Sequence, residues 1–438
     1  MVESNILKFY PTMKSQFIQI FFCSCFQLFK EIKRIPLFYI FIIFCSSHAQ
    51  THYQEEILGQ PFSNRYPDIP SYYARNIWDM KAYNGKLYLG AGNSSNKGPS
   101  TNSGPVPIIY YEPVSMLFVE EGRVEDEQID RFIMLHDSLY IPGHDPMQNW
   151  ELGNIYKLLD DGASREWKKF RNIPDAVHTY DLASFGNLFF AASGTLDGGI
   201  ISESDDNGKT WKNIYYSKTR VYTFLKVKNR LFATTGSQSY NIENKEFAIE
   251  LNNNYYKNRP DLQPHIFFPG KSLKTGGKVK ITNAIYFDTK SAYIGAYQHN
   301  DHQMRPFGFY VASSLDEGEV TIDAISLPEG FEPWDTIVKD SNIFLLTNKL
   351  SPDRNQAQVF YATTESPTKL YSLFSFNVYE GFIRSFEEMD GYFYLSVGSE
   401  IDDPKNFSLS EITSKTGTLL RVKSLIPQRL NNAEQANR

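Results

Sequence analysis

Seven times along the chain, an aliphatic run, a short polar turn, an aromatic-rich run and a stretch of small residues follow one another. The phrases are IWDMKAYNGKLYLGAG, IDRFIMLHDSLYIPGHD, HTYDLASFGNLFFAASG, VYTFLKVKNRLFATTG, ITNAIYFDTKSAYIGAY, PWDTIVKDSNIFLLTNK and IRSFEEMDGYFYLSVGS. Short apolar runs bounded by turn residues predict paired strands rather than helices. The second member of each aromatic pair serves as an anchor: Tyr88, Tyr140, Phe190, Phe232, Tyr293, Phe344 and Tyr394. These anchors are separated by 52, 50, 42, 61, 51 and 50 residues. A period near fifty that holds several short strands predicts an all-β fold, a seven-bladed β-propeller of four-stranded antiparallel sheets.

Each phrase supplies the two inner strands of a blade, and a second hairpin supplies the outer two. The clearest outer hairpins are GGIISESDDNGKTWKNIYY, NIYKLLDDGASREWKKF, FGFYVASSLDEGEVTIDAISL and QVFYATTESPTKLYSLFSF. GTLLRV (Gly417 to Val422) completes the last sheet, and the segment from Gln50 to about Tyr73 is expected to add a strand that closes the ring. The expected domain runs over residues 50–423, with a polar tail over 424–438.

Residues 1–49 differ from the rest. Lys30, Lys33 and Arg34 precede the apolar run LFYIFIIFC, and Ser47-His48-Ala49 follows it. This order predicts a secretory signal cleaved after Ala49, with a run too short to span a bilayer comfortably. An earlier apolar stretch, Phe17 to Phe29, leaves a membrane hairpin or a different translation start as alternatives. The expectation is an exported protein, extracellular or periplasmic, acting as a monomer without a stable membrane partner.

Composition narrows the chemistry. Of 438 residues, 28 are Tyr and 33 Phe, with 27 Gly and 22 Pro, which suits many short strands and tight turns. The three cysteines, Cys23, Cys25 and Cys45, all lie in the leader. Disulfides, thiol catalysis and cysteine-based zinc sites are therefore excluded from the predicted domain. Beyond the leader 39 basic residues face 48 acidic ones, which argues against a nucleic-acid surface.

In a propeller the innermost strand starts at the face where the second strand ends, so loops from all blades converge over the central channel. That geometry selects Trp78, Asp79, Asp130, Arg131, His178, Tyr180, Asp181, Arg220, Tyr222, Asn283, Trp334, Asp335 and Arg384 from strand starts. Strand ends add Asn93, His144, Asp145, Tyr240, His299, Asp301 and His302. His144 (in PGHD) and His178 (in HTYD) fall at the converging face of adjacent blades, where a histidine pair suits proton transfer near neutral pH. The fourth repeat carries the longest insertion, which Tyr240 opens and near whose far end lie Arg259 and His265; for Tyr255 and Tyr256 strand packing is the better reading. AYQHNDHQ places His299, Asp301 and His302 together, and with His265 they could hold a structural divalent metal, zinc or calcium.

Within SESDDNGKTW, the residues Ser204, Asp206, Gly208, Thr210 and Trp211 fit the S-x-D-x-G-x-T-W box and resemble sialidase-type propellers. The box is a turn device on a blade's outer edge and carries no activity by itself. Arg131, Arg220 and Arg384 could form a carboxylate-gripping trio, but a single box and seven repeats fit a sialidase-like hydrolase poorly. The seven-bladed ring with His, Tyr and Arg at its mouth resembles the propeller ulvan lyases. The resemblance implies β-elimination on a uronic-acid polysaccharide, a His/Tyr pair with an Arg, and a His-containing metal site away from catalysis. On it His144 or His178, Tyr240 and Arg259 are the catalytic residues and His265, with His299 and His302, is the metal side, with no cofactor in catalysis. Arg220, Tyr222, Trp78 and Arg131 would bind the anionic polysaccharide, and Arg220 with Tyr222 is the alternative catalytic pair. A non-catalytic glycan- or protein-binding propeller stays open beside it, since Trp78 and Trp334 stack on sugars equally well in a binding protein.

Overall fold

The computed structural model describes residues 55–95, 100–162, 164–237, 246–252, 255–271, 277–298, 303–351, 354–401 and 408–424. The strands form seven antiparallel sheets arranged as blades of a ring. Their innermost strands are, in chain order, Asp79–Tyr83, Ile133–Leu135, His178–Phe185, Val221–Val227, Lys278–Phe287, Glu332–Lys339 and Phe382–Met389. Six blades have four strands, as the repeat predicts. The seventh sheet is built from both ends of the chain: Glu55–Gly59 pairs with Leu419–Lys423, placing Glu55 opposite Val422 and Ile57 opposite Leu420. The segment after Gln50 thus supplies the outermost strand of the last blade.

The anchor residues explain why the phrase repeats. Tyr88, Phe190, Phe232, Tyr293 and Tyr394 are fully buried, and Tyr140 and Phe344 nearly so. The apolar clusters lie between blades, not within them. One joins Tyr88 and Ile108 of the first blade to Tyr156 and Leu158 of the second. Another joins Phe344 and Leu346 of the sixth to Phe386 and Phe393 of the seventh. A sheet with two apolar faces is stable only when both are covered, and sandwiching each blade between neighbours does this. The Ser204–Trp211 turn serves the same end. Asp206 accepts hydrogen bonds from the N–H groups of Lys209 and Thr210, both 2.9 Å, and Trp211 is buried against Phe189 and Tyr140.

Two features of the inner strands prepare the central mouth. The first is a register break in five of them, at Tyr180, Tyr222, Asn283 (with Ala284), Trp334 and Arg384. A bulge leaves one residue out of the ladder and re-aims its side chain. All five line one cavity over the channel. The second is a belt of carboxylates just below. Asp79 accepts from Phe132 N of the next blade at 2.6 Å, Asp181 from Phe224 N at 2.9 Å and Asp335 from Phe386 N at 3.0 Å. Glu387 accepts from Lys81 Nζ at 3.2 Å and so joins the seventh blade to the first. Asp79, Asp181 and Asp335, picked from sequence as mouth residues, therefore tie blades together.

The third blade departs from the four-strand pattern. Two extra short strands, His144–Pro146 and Asp126–Gln128, pair successively on the inner edge of His178–Phe185. Asp126–Gln128 is the connection from the first blade to the second, and His144–Pro146 is the loop between the second and third strands of the second blade. They pair because the inner edge of His178–Phe185 offers free backbone groups at the mouth: Thr179 N donates to Gly143 O at 2.9 Å.

Candidate functional site

The added strands explain how two distant histidines meet. His144 and His178 are direct cross-strand partners, with ring centroids 5.4 Å apart and planes at 70°. Asp145 follows His144 with a φ of 62°, in the left-handed region that aspartate tolerates better than most residues. That turn aims its carboxylate sideways, and Oδ1 lies 2.8 Å from His178 Nδ1. His178 stacks on Tyr180 at 5.4 Å and 14°, and Tyr180 in turn meets Tyr222 at 4.7 Å. Arg220 donates from Nη1 to the Tyr180 hydroxyl at 2.6 Å. An imidazole pair, a carboxylate, two phenols and a guanidinium therefore form one continuous chain across the third and fourth blades.

This chain borders two adjoining cavities at the mouth, of about 390 and 210 Å³, which share Tyr222, Lys280 and Met304. Arg220 lines the larger; Trp78, Trp334, Arg131 and Arg384 line the smaller. Lys280, from the inner strand of the fifth blade, lies 4.6 Å above the Tyr222 ring. The wall on the third to fifth blades is thus phenolic and cationic, and the opposite wall carries the two indoles.

Charge in the mouth follows from burial and neighbours. Burial holds the His178 imidazole below its ordinary value, although Asp145 pulls it upward. Burial, with Tyr222 alongside, keeps the Tyr180 phenol well above its usual value despite Arg220. Burial also lowers Lys280, only partly offset by Asp130. Arg131 resists the same penalty because Asp181, Asp130 and Asp79 surround it. The pair His178 and Tyr180 is accordingly a neutral imidazole beside a protonated phenol, the complement required of a base and an acid.

Several residues chosen from sequence meet here: His144, His178, Arg220, Tyr222, Trp78 and Arg131. Others do not. Arg259 is fully buried between the outer strands of the fourth and fifth blades, donating to Glu250 at 3.1 Å, Asp261 at 2.6 Å and Leu315 O at 3.0 Å. Its charge is consumed by those partners, so the structure does not bring it to the mouth. Tyr240 lies outside the described residues, as do His299 and His302. His265 sits exposed on the single helical turn Pro264–Phe267. Among the described residues the cluster that could hold a metal is His144, Asp145 and His178, whose ligand atoms all lie within 4.8 Å of one another. Of the arginine trio, Arg131 pairs with Asp181 at 3.2 Å and Arg384 with Glu400 at 2.8 Å, so two of the three guanidiniums already hold a carboxylate of this chain. Arg384 also lies 4.2 Å over the Trp78 ring.

Lys280 was missed from sequence, although it occupies the strand-start position that selected the others. Tyr180 was selected but assigned no role. The repeated aromatic–Asp pairs (Trp78-Asp79, Tyr180-Asp181, Trp334-Asp335) carried the signal: the aromatic lines the mouth while the aspartate turns to the next blade.

No family model and no curated protein matches the chain. Solved structures similar to it include a proposed 6-phosphogluconolactonase from Bacteroides fragilis. It is 9% identical, with a TM-score of 0.41, over 78% of this chain and 99% of that one. A second proposed 6-phosphogluconolactonase, from Bacteroides uniformis, is 10% identical with a TM-score of 0.42, over 72% and 89% of the two chains. A chain of a mitotic checkpoint complex is 8% identical with a TM-score of 0.44, over 85% and 93%. The β-propeller is read from the seven sheets themselves.

Proposed function

We propose that the mouth is an active site for an anionic, uronic-acid-containing polysaccharide of the ulvan kind, cleaved by β-elimination. The observation that carries this reading is the contact chain His178–Tyr180–Arg220 on the cationic wall. Elimination needs three things: a group that neutralises the uronate carboxylate, a base for the C5 proton and an acid for the departing C4 oxygen. Arg220 and Lys280 supply the first. His178, held neutral by burial and with Asp145 Oδ1 2.8 Å from its Nδ1, accepts the C5 proton at Nε2. The C5 electron pair then forms the C4–C5 double bond as the C4–O bond breaks. Tyr180, still protonated, donates to that oxygen, and its phenolate is steadied by Arg220. The reaction proceeds on side chains alone. Tyr180 and Arg220 thus take the places that the sequence reading gave to Tyr240 and Arg259. On this reading the protein is exported and acts as a monomer on polymer outside the cytoplasm.

Purified protein offered ulvan, glucuronan, pectin and alginate should generate the ultraviolet absorbance of an unsaturated uronate with one of them. Absence of that signal across the panel would remove the lyase reading. The indole wall of Trp78 and Trp334 favours a second reading, a non-catalytic glycan-binding mouth, for which saturable binding of the same polymers without product is the expected result.

A further inference from the structure

The His144–Asp145–His178 cluster has features that proton transfer does not require. The two imidazoles face each other as cross-strand partners, and the intervening carboxylate is turned onto one of them by a left-handed backbone. His144 Nδ1 is buried with no hydrogen-bond partner. His178 Nδ1 is close to Asp145 but lacks a well-directed hydrogen bond. Nitrogen atoms sealed from water without a donor or acceptor cost free energy unless something else binds them. The adjoining strand carries two more such atoms: Asp126 Oδ1 and Glu127 Oε2 are also buried without a hydrogen-bond partner. Two imidazoles and one carboxylate whose ligand atoms converge within 4.8 Å of one another match the donor set of a three-ligand zinc-type site.

We propose that His144, Asp145 and His178 bind one divalent transition-metal ion, zinc above calcium, at the rim of the mouth. The donor types decide between the two: calcium takes six to eight oxygens, whereas two of these three donors are nitrogen. Thiolate ligands are not needed, so the lack of cysteine beyond residue 45 does not count against the site. The inference competes with the lyase reading at His178, because an imidazole that holds zinc cannot also accept a proton, but its own test is made without a polysaccharide.

The test titrates zinc into the metal-stripped protein against a chromogenic chelator. The expected result is one ion per chain, with affinity weakened about tenfold or more in His144→Ala, His178→Gln and Asp145→Asn. A His299→Ala/His302→Ala double variant should bind as the wild type does. Because a variant could fail to fold, the wild type is also followed by NMR of its histidine side chains. Two imidazoles should shift together and saturate at one equivalent of zinc. Either no stoichiometric binding, or binding lost in the His299/His302 variant and kept in the other three, overturns the proposal. Zinc saturation without movement of two imidazole signals overturns it as well. A negative polysaccharide panel leaves these readings untouched.

Discussion

Tyr180 is where several physical demands meet. A bulge removes it from the ladder, His178 covers one face of its ring, Tyr222 crowds another side and Arg220 holds its oxygen. Tyr180→Phe should lower the elimination rate about 10²-fold or more, with folding unchanged by circular dichroism. Activity within tenfold of wild type would remove Tyr180 as the acid. Arg259→Ala makes the opposite case. Its loss leaves Glu250 short of one partner inside the blade interface, so thermal stability should fall by about 2 kcal/mol or more. Any residual activity per folded molecule should be that of the wild type; a selective loss of turnover would return Arg259 to the catalytic set. Zinc provides a third check, on His178, since an imidazole bound to metal cannot accept a proton. Added zinc should inhibit elimination and a chelator should restore it, whereas a rate that rises with zinc would rule out His178 as a free base.

At the scale of the element, an inner strand serves two purposes that alternate along it. In Tyr180-Asp181 the first side chain faces the mouth and the second ties the blade to its neighbour. Asp181 accepts from Leu182 N and Phe224 N and pairs with Arg131. Asp181→Ala therefore strands two backbone N–H groups and a partly buried guanidinium, at a cost of about 3 kcal/mol by chemical denaturation. A cost near zero would mean that the straps are ornamental. Asp79 tests the same belt through pH. Burial pushes its carboxyl from 3.8 up to about 6 in the folded chain. The fold therefore prefers the protonated form: the stability this preference contributes is complete below pH 3.8 and is lost as pH rises through about 6. Asp79→Asn, which keeps an acceptor for Phe132 N, should be more stable than wild type at pH 7.5. The gap should close by pH 4. Its size should be about 1 kcal/mol, less than the full shift implies, because Asp79 is partly exposed to the channel. A gap independent of pH would refute the assignment.

At the scale of the whole molecule, the ring is closed by Glu55–Gly59, whose outer-strand pairing includes Glu56 Oε2 accepting from Arg421 Nε at 2.7 Å. Removing residues 55–59 would leave the edge of Leu419–Lys423 unpaired and uncover Leu419 and Leu420. Thermal unfolding should move down by at least about 5 °C and broaden, and an unchanged transition would show that closure does not depend on that strand. The ring itself was legible in the chain because each blade repeats the same local demand: an aromatic pair that must be covered on both faces. Strand pairing, turn residues and the anchors Tyr88 to Tyr394 are local or periodic, so one sequence carries them. The mouth was only partly legible, for the reason that convergence is periodic but contact is not. Position along the repeat selected His144, His178, Arg220 and Tyr222, yet gave no warning that Arg259 folds into a blade interface. Nor did it show that His144–Pro146 would leave its own blade and pair with His178. Those outcomes depend on backbone pairing between segments tens of residues apart and on which charge reaches a partner first. Only the closed ring decides them, because hydrogen bonding and burial are settled by neighbours in space.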